Sequence, residues 1–140
     1  MRMLGIDYGE ARVGVAITDE LNITVQGLET IQRNGSDKIV LRRLDEIFAH
    51  YEVDTIVVGM PLNMNGTISE RAKITEQFIH KLKCKYNKKK VETIDERLTT
   101  VAAERSLIEG DVSRKKRKKV IDMLAAVIIL QGYLDSKSKF

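Results

Sequence analysis

Residues 3–18 have the sequence MLGIDYGEARVGVAIT, and this segment sets the architecture that we expect. Two apolar runs, Met3–Tyr8 and Arg12–Thr18, flank a turn at Gly9, and in the second run β-branched residues alternate with small ones. Such alternation is typical of β-strands, and a glycine turn between two of them is typical of a hairpin. The segment therefore predicts that the chain begins with two antiparallel strands.

The rest of the chain alternates between strand and helix patterns. Short apolar runs predict further strands at 23–31, 54–60 and 91–94. Apolar residues at helical spacing behind a capping residue predict helices that begin after Ser36, after a capping box formed by Thr67 and Glu70, after Thr99 or Thr100, and at about Ser113. The second, third and fourth of these helices are expected to end near residues 86, 108 and 134. No linker or repeat divides the chain, so we predict one mixed α/β domain over residues 1–140.

The composition limits the chemistry. Hydrophobic residues make up 43% and charged residues 31% of the 140 residues, as in ordinary globular proteins, and no apolar run is long enough to span a membrane. Because no secretory signal precedes the first strand, we expect a cytoplasmic protein without a membrane partner. Cys84 is the only cysteine, and His50 and His80 are the only histidines, too few for a zinc site of thiol and imidazole ligands. Any metal ion must be held by oxygen.

Positive charge is concentrated in two segments. Residues 81–90 contain six lysines and no acid, and residues 114–119 are an unbroken basic run, whereas the net charge of the whole chain is only +4. Such an uneven distribution of positive charge favours a phosphate-rich partner. The alternative is that the basic runs only solvate helix faces.

Acidic residues lie at the ends of two predicted strands. Asp7 lies within an apolar run at a strand end, where a buried carboxylate needs a compensating cation or hydrogen bonds. Asp95 and Glu96 follow the last strand, and alternation directs only one of them toward Asp7. The alternatives are a turn aspartate at position 7 and a surface acid paired with Arg97.

A third acid lies on the last helix. Asp122 shares one helical stripe with Ala125, Ala126 and Ile129, and this stripe should face the sheet. The alternative is a solvated aspartate at the edge of an amphipathic helix. Three carboxylates from two strand ends and a helix suit one or two Mg²⁺ or Mn²⁺ ions, which serve phosphoryl transfer.

Four motifs along the whole chain together resemble the YqgF/RuvX family, whose members are described as Holliday junction resolvases or pre-16S rRNA nucleases. The motifs are residues 5–16 (GIDYGEARVGVA), Val58-Gly59-Met60-Pro61 with Gly66 and Ala72, residues 95–100 (DERLTT), and Asp122 with Ala125-Ala126 and Ile129-Leu130. The resemblance implies a ribonuclease H-like α/β fold, a five-stranded mixed sheet with the second strand antiparallel, flanked by helices. It also implies that Asp7, Glu96 and Asp122 are the catalytic and metal-binding residues, which selects Glu96 over Asp95.

The resemblance and the charge pattern together give a set of nucleic-acid contacts. The expected residues are Arg12, Asn63, Asn65, Gly66, Thr67, Arg97, Arg114, Lys115, Lys116, Arg117, Lys118 and Lys119. For the loop Asn63–Thr67, ordinary turn chemistry is the alternative. We expect a monomer or homodimer.

The leading functional hypothesis is a metal-dependent nuclease acting on structured RNA, at the 5′ end of pre-16S rRNA. One alternative is a Holliday junction resolvase acting on branched DNA. Larger resolvases of the superfamily typically carry a fourth acid, whereas here Ala125 follows Asp122 by one helical turn, which favours RNA over junctions. A second alternative is a non-catalytic nucleic-acid-binding factor in ribosome assembly or transcription. The Asp-x-Gly hairpin also resembles the phosphate loop of actin-like ATPases, but those proteins need two domains.

Overall fold

The computed structural model describes residues 1–98 and 114–137. Five strands form one sheet in the order β3-β2-β1-β4-β5. The strands are β1 (Arg2–Tyr8), β2 (Arg12–Thr18), β3 (Val25–Gln32), β4 (Val53–Met60) and β5 (Lys90–Asp95). β1 pairs with β4 and β4 with β5 in parallel, whereas β2 is antiparallel to β1 and β3. This topology confirms the predicted mixed sheet with its second strand antiparallel.

Three described helices flank the sheet. They are α1 (Asp37–His50), α2 (Glu70–Lys85) and α3 (Arg114–Lys137), and a 3-10 turn, Glu96–Leu98, follows β5. The predicted helix from Thr99 or Thr100 to Ile108 falls outside the described residues. None of the helices in the described ranges is long and apolar enough to cross a membrane.

Two predicted element starts need correction. The capping box of Thr67 and Glu70 is wrong, because Ser69 caps α2 by accepting a hydrogen bond from the backbone amide of Ala72 at 3.0 Å. Thr67 instead bonds within the preceding loop. β3 begins two residues later than predicted, because the carboxylate of Asp19 accepts from the backbone amides of residues 23 and 24 and holds them in a turn. Ser36 caps α1, as predicted.

The sheet has an apolar layer on each face. Leu4, Ile6 and Tyr8 of β1 pack with α1 and α2 on one face, while α3 covers the other face through residues such as Ala126 and Leu130. Because side chains alternate along a strand, the odd-numbered residues of β1 face α3. Asp7 is therefore on the α3 face.

Candidate active site

Asp7, the penultimate residue of β1, lies between two glycines on the neighbouring strands. Asp7 is only 6% exposed to solvent. In the register of the sheet, Asp7 pairs with Gly14 on β2, and the pair of Ile6 with Val58 places Asp7 beside Gly59 on β4. Glycine in a strand marks a place where another part of the chain approaches closely. Both flanks of Asp7 are thus open to other elements.

Glu96 occupies the flank over β4. A β-carbon built at Gly59 would lie 2.8 Å from Oε1 of Glu96, so this carboxylate lies directly over the strand next to Asp7. Glu96 reaches that position from the first residue of the 3-10 turn after β5. Any larger side chain at position 59 would displace it.

Asp95, the neighbouring acid, bonds to Arg97. Its carboxylate accepts from Nε of Arg97 at 2.9 Å and from the backbone amide of Arg97 at 2.9 Å. These bonds lower the pKa of Asp95. For Asp95 the structure thus shows the alternative, an acid paired with Arg97, whereas Glu96 is the acid of this segment that lies over β4 beside Asp7.

Asp122 occupies the flank over β2. A β-carbon at Gly14 would lie 1.9 Å from the backbone carbonyl oxygen of Asp122, so α3 touches the sheet at the strand beside Asp7. Ala125 and Ala126, which follow on the same stripe, are buried against the sheet, as predicted.

Arg12 holds the carboxylate of Asp122. Nε of Arg12 donates to Oδ2 of Asp122 at 2.8 Å, and the two side chains are 24% and 16% exposed. Arg12 thus lies on the expected face, but its cation is engaged with a proposed metal ligand. Within the described ranges, no three acidic, histidine or cysteine residues are grouped closely enough to hold a metal ion. The structure brings Asp7, Glu96 and Asp122 to one end of the sheet without closing them into one cluster.

The loop Asn63–Thr67 follows β4 at the same end of the sheet. Nδ2 of Asn63 donates to Oγ1 of Thr67 at 2.9 Å, and Oγ1 of Thr67 donates to Oδ1 of Asn65 at 2.7 Å. Gly66 has a φ of +85°, which favours glycine. Nη1 of Arg97 donates to the carbonyl oxygen of Met64 at 3.2 Å and so ties the loop to the end of β5. Turn chemistry accounts for these side chains, and their contact with nucleic acid stays a prediction.

The structure describes the side chains of one basic segment but not those of the other. In residues 81–90, Lys81 bonds to Asp37, Lys85 to Asp45, and Lys89 to the carbonyl oxygen of Val53. Half of these lysines therefore have intramolecular partners, which weakens the case for this segment as a phosphate contact. Residues 114–119 form the start of α3, and their side chains lie outside the described part of the chain.

Sequence reasoning missed a polar cluster on the opposite face of the sheet. The hydroxyl of Tyr8 donates to Oδ1 of Asp37 at 2.5 Å, and Arg33 and Lys81 pair with the same carboxylate. Burial and the bond to Asp37 raise the pKa of Tyr8 to about 12. Burial alone would raise the pKa of Asp37, but the bonds from Lys81, Tyr8 and Arg33 outweigh it and lower the pKa. The only available signal was the four-residue spacing of Arg33 and Asp37.

Comparison with known proteins places this geometry in a family. A family model described as "RuvX: Holliday junction resolvase" matches residues 1–136. A relative from Geobacillus sp. (strain WCH70), named "Putative pre-16S rRNA nuclease", is 54% identical over 138 residues, covering 98% of this chain and 99% of the relative. A relative of the same name from Symbiobacterium thermophilum is 53% identical over 138 residues, covering 99% and 94%.

A solved structure shows the same fold at low sequence identity. It is T. thermophilus RuvC in complex with a Holliday junction substrate, with a TM-score of 0.60 and 13% identity, covering 99% of this chain and 97% of that one. The chain therefore shares the fold of this resolvase. With a family model that matches nearly the whole length and relatives that share more than half of its residues, the chain belongs to the RuvX family.

Proposed function

We propose that this chain is a metal-dependent nuclease that hydrolyses phosphodiester bonds of structured RNA. The observation that carries the proposal is the arrangement around Asp7: glycines on both neighbouring strands admit Glu96 on one side and the backbone of Asp122 on the other. Three acidic residues, from β1, the 3-10 turn after β5, and α3, are thereby gathered at one end of the sheet. Relatives named as pre-16S rRNA nucleases support the reaction class.

The donor set fits a hard divalent cation. Carboxylate oxygens are the preferred ligands of Mg²⁺ and Mn²⁺, and the space over Gly59 that holds the Glu96 carboxylate adjoins Asp7. Asp7, Glu96 and Asp122 would hold the ion or ions. Divalent ions bound there would activate a water molecule and stabilise the leaving oxygen.

Arg12 gives the site two states in this proposal. In the first state its guanidinium neutralises Asp122, as observed. In the second, Asp122 would help to hold a metal ion, and Arg12 would be free to donate to a substrate phosphate. A guanidinium suits this second task because its N–H donors match two phosphate oxygens at once. Arg12 therefore exchanges one anionic partner for another.

The substrate that we propose is the 5′ end of pre-16S rRNA, processed during ribosome biogenesis in the cytoplasm. The names of the relatives support this substrate. A Holliday junction is the second candidate, because the family model carries that description. Position 125 favours RNA, since Ala125 is buried against the sheet one turn after Asp122 and contributes no fourth carboxylate. A binding factor without catalysis is the third candidate.

One experiment separates these candidates. Purified protein is incubated with Mn²⁺ or Mg²⁺ and either an RNA that spans the 5′ end of pre-16S rRNA or a four-way DNA junction. The wild type is compared with Asp7→Asn and with Asp54→Asn, an exposed aspartate near the start of β4, at the opposite end of the sheet. We expect RNA cleavage by the wild type and Asp54→Asn, and none by Asp7→Asn.

The melting temperature without metal checks that Asp7→Asn is folded. We expect it to equal or exceed that of the wild type, because neutralising one of several neighbouring carboxylates relieves repulsion. Junction cleavage without RNA cleavage would favour the resolvase. Tight RNA binding without cleavage by any of the three proteins would favour the binding factor.

A further inference from the structure

A cationic cavity lies on the sheet face opposite α3, beside the last residue of β1. Its volume is about 300 Å³, which is near the lower end for ligand pockets. The lining residues are Tyr8, Glu10, Arg33, Arg71, Ile74 and Thr75. They come from β1, the turn after it, the segment before α1, and α2. None of these residues belongs to the proposed metal site.

Arg33 is fixed in this cavity before any ligand arrives. Its Nε donates to Oδ1 of Asp37 at 2.8 Å and to the hydroxyl of Tyr8 at 3.1 Å, and its Nη1 donates to the carbonyl oxygen of Glu10 at 3.2 Å. The guanidinium also lies over the ring of Tyr8, 5.6 Å from its centroid. A cation held by this many contacts loses little further entropy when it binds an anion.

The cavity carries more positive than negative charge. Asp37 already has a second cation, because Nζ of Lys81 lies 2.7 Å from its Oδ2. Arg71 adds a guanidinium that forms no ion pair within the described ranges, and its Nη2 donates to the carbonyl oxygen of Tyr8 at 2.9 Å. Among the described residues that line the cavity, the exposed Glu10 is the only one with a carboxylate. Both guanidiniums retain N–H donors that no described residue accepts.

We propose that this cavity, the Arg33–Arg71 pocket, binds a backbone phosphate of the nucleic-acid strand next to the phosphate that is cleaved. This inference rests on the proposed function. The short distance along β1 between the two sites supports it: Nη2 of Arg71 donates a hydrogen bond to the carbonyl oxygen of Tyr8, the residue directly after Asp7. A strand that crosses the end of β1 meets the carboxylates on one face of the sheet and the two arginines on the other.

The test measures binding of a labelled single-stranded RNA oligonucleotide to the full chain, in EDTA, over a range of salt concentrations. Arg71→Gln is compared with the wild type and with Arg42→Gln, the same change at an exposed arginine of α1 for which the described residues supply no ion pair. Loss of one phosphate contact lowers the slope of log K against log salt by about 0.7 for a single strand. We expect that reduction and roughly fivefold weaker binding at low salt for Arg71→Gln alone.

Arg71→Lys serves as the second variant. It should keep most of the salt slope while losing part of the affinity, because lysine retains the charge but not the paired donors. Melting temperatures of all variants establish that they are folded. Equal affinities and slopes for Arg71→Gln and Arg42→Gln would overturn the proposal. If inorganic phosphate protects the wild type but not Arg71→Gln from thermal unfolding, and RNA affinity is unchanged in the variant, the ligand is a free phosphate, and the strand assignment is wrong.

These outcomes are distinct from failure of the proposed function. Absence of metal-dependent cleavage by the wild type would remove the nuclease reaction, while the effect of Arg71→Gln on RNA binding in EDTA would persist. Normal cleavage with no effect of Arg71→Gln would remove the pocket and leave the nuclease reaction in place.

Discussion

At the scale of single residues, the ion pair of Arg12 with Asp122 determines how the candidate site behaves without metal. The pair joins the segment that follows the first turn to the last helix, and both side chains are mostly buried. Partial burial strengthens the pair, and it also makes an unpaired Asp122 costly. Arg12 is therefore a competitor of the metal ion for one of its three proposed ligands.

Removing this competitor should change metal affinity. We expect Arg12→Gln to bind Mn²⁺ more tightly than the wild type by about fivefold, which corresponds to roughly 1 kcal/mol for a partly exposed pair. The measurement is a Mn²⁺ titration followed by electron paramagnetic resonance, without nucleic acid. Arg97→Gln is the matched control, because its pair with Asp95 excludes the three proposed ligands. Weaker Mn²⁺ binding by Arg12→Gln than by Arg97→Gln would contradict the competition.

Asp37 gives a second prediction at this scale, for stability as a function of pH. Its bonds lower its pKa in the folded protein below the ordinary value of 3.8. The stabilisation is therefore complete above about pH 4 and is lost as the pH falls through the folded pKa. We expect Asp37→Asn to cost about 2 kcal/mol at neutral pH, the usual value of hydrogen bonds to a charged group.

Urea unfolding at neutral and acidic pH tests the predicted contribution of Asp37 to stability. The difference in the free energy of unfolding between the wild type and Asp37→Asn should narrow steadily below about pH 4. A difference that stays constant down to the acid transition would mean that the charge of Asp37 is not what stabilises the fold.

At the scale of elements, the seating of α3 on the sheet positions Asp122. The helix approaches β2 so closely that a β-carbon at Gly14 would overlap the backbone carbonyl of Asp122. On β3 the three atoms nearest to a β-carbon at Gly27 all belong to the side chain of Met123, which can move. The contact at Gly14 is with the helix backbone, so a rotamer change cannot relieve it, and it helps to position Asp122 on the sheet.

Because Gly14 meets helix backbone and Gly27 meets a side chain, we expect replacement by alanine to have different effects at the two positions. Gly14→Ala should destabilise the protein by about 2 kcal/mol, or lower the melting temperature by roughly 6 °C, because α3 must shift. The cleavage rate and the affinity for Mn²⁺ should also fall in Gly14→Ala. Gly27→Ala should cost less than half as much, because Met123 changes rotamer. Equal losses of stability and metal affinity in the two variants would show that the backbone contact does not position the site.

At the scale of the whole molecule, the sequence predicted the order and type of the described elements. The strands have clear alternation or short apolar runs, and Ser36 and the alanine stripe of α3 determine where two helices begin and pack. The start of α2 was mispredicted because Thr67 and Ser69 both have capping side chains, and local loop bonds decide between them.

The candidate site was predictable only in part. The residue types and strand ends indicated Asp7, the segment at Glu96, and Asp122, but the pairing of Arg12 with Asp122 joins residues 110 positions apart. No local pattern reports such a contact. The roles of Gly14 and Gly59 were also hidden, because a glycine in a strand indicates a close approach without naming the element that approaches.

In the proposed site, Asp7, Glu96 and Asp122 together bind a divalent cation. Anomalous diffraction at the manganese edge, from crystals of the protein grown with Mn²⁺, tests this directly. We expect a peak between the three carboxylates, with Arg12 withdrawn from Asp122. A peak elsewhere, or none, with the bond from Arg12 to Asp122 intact at saturating Mn²⁺, would contradict it.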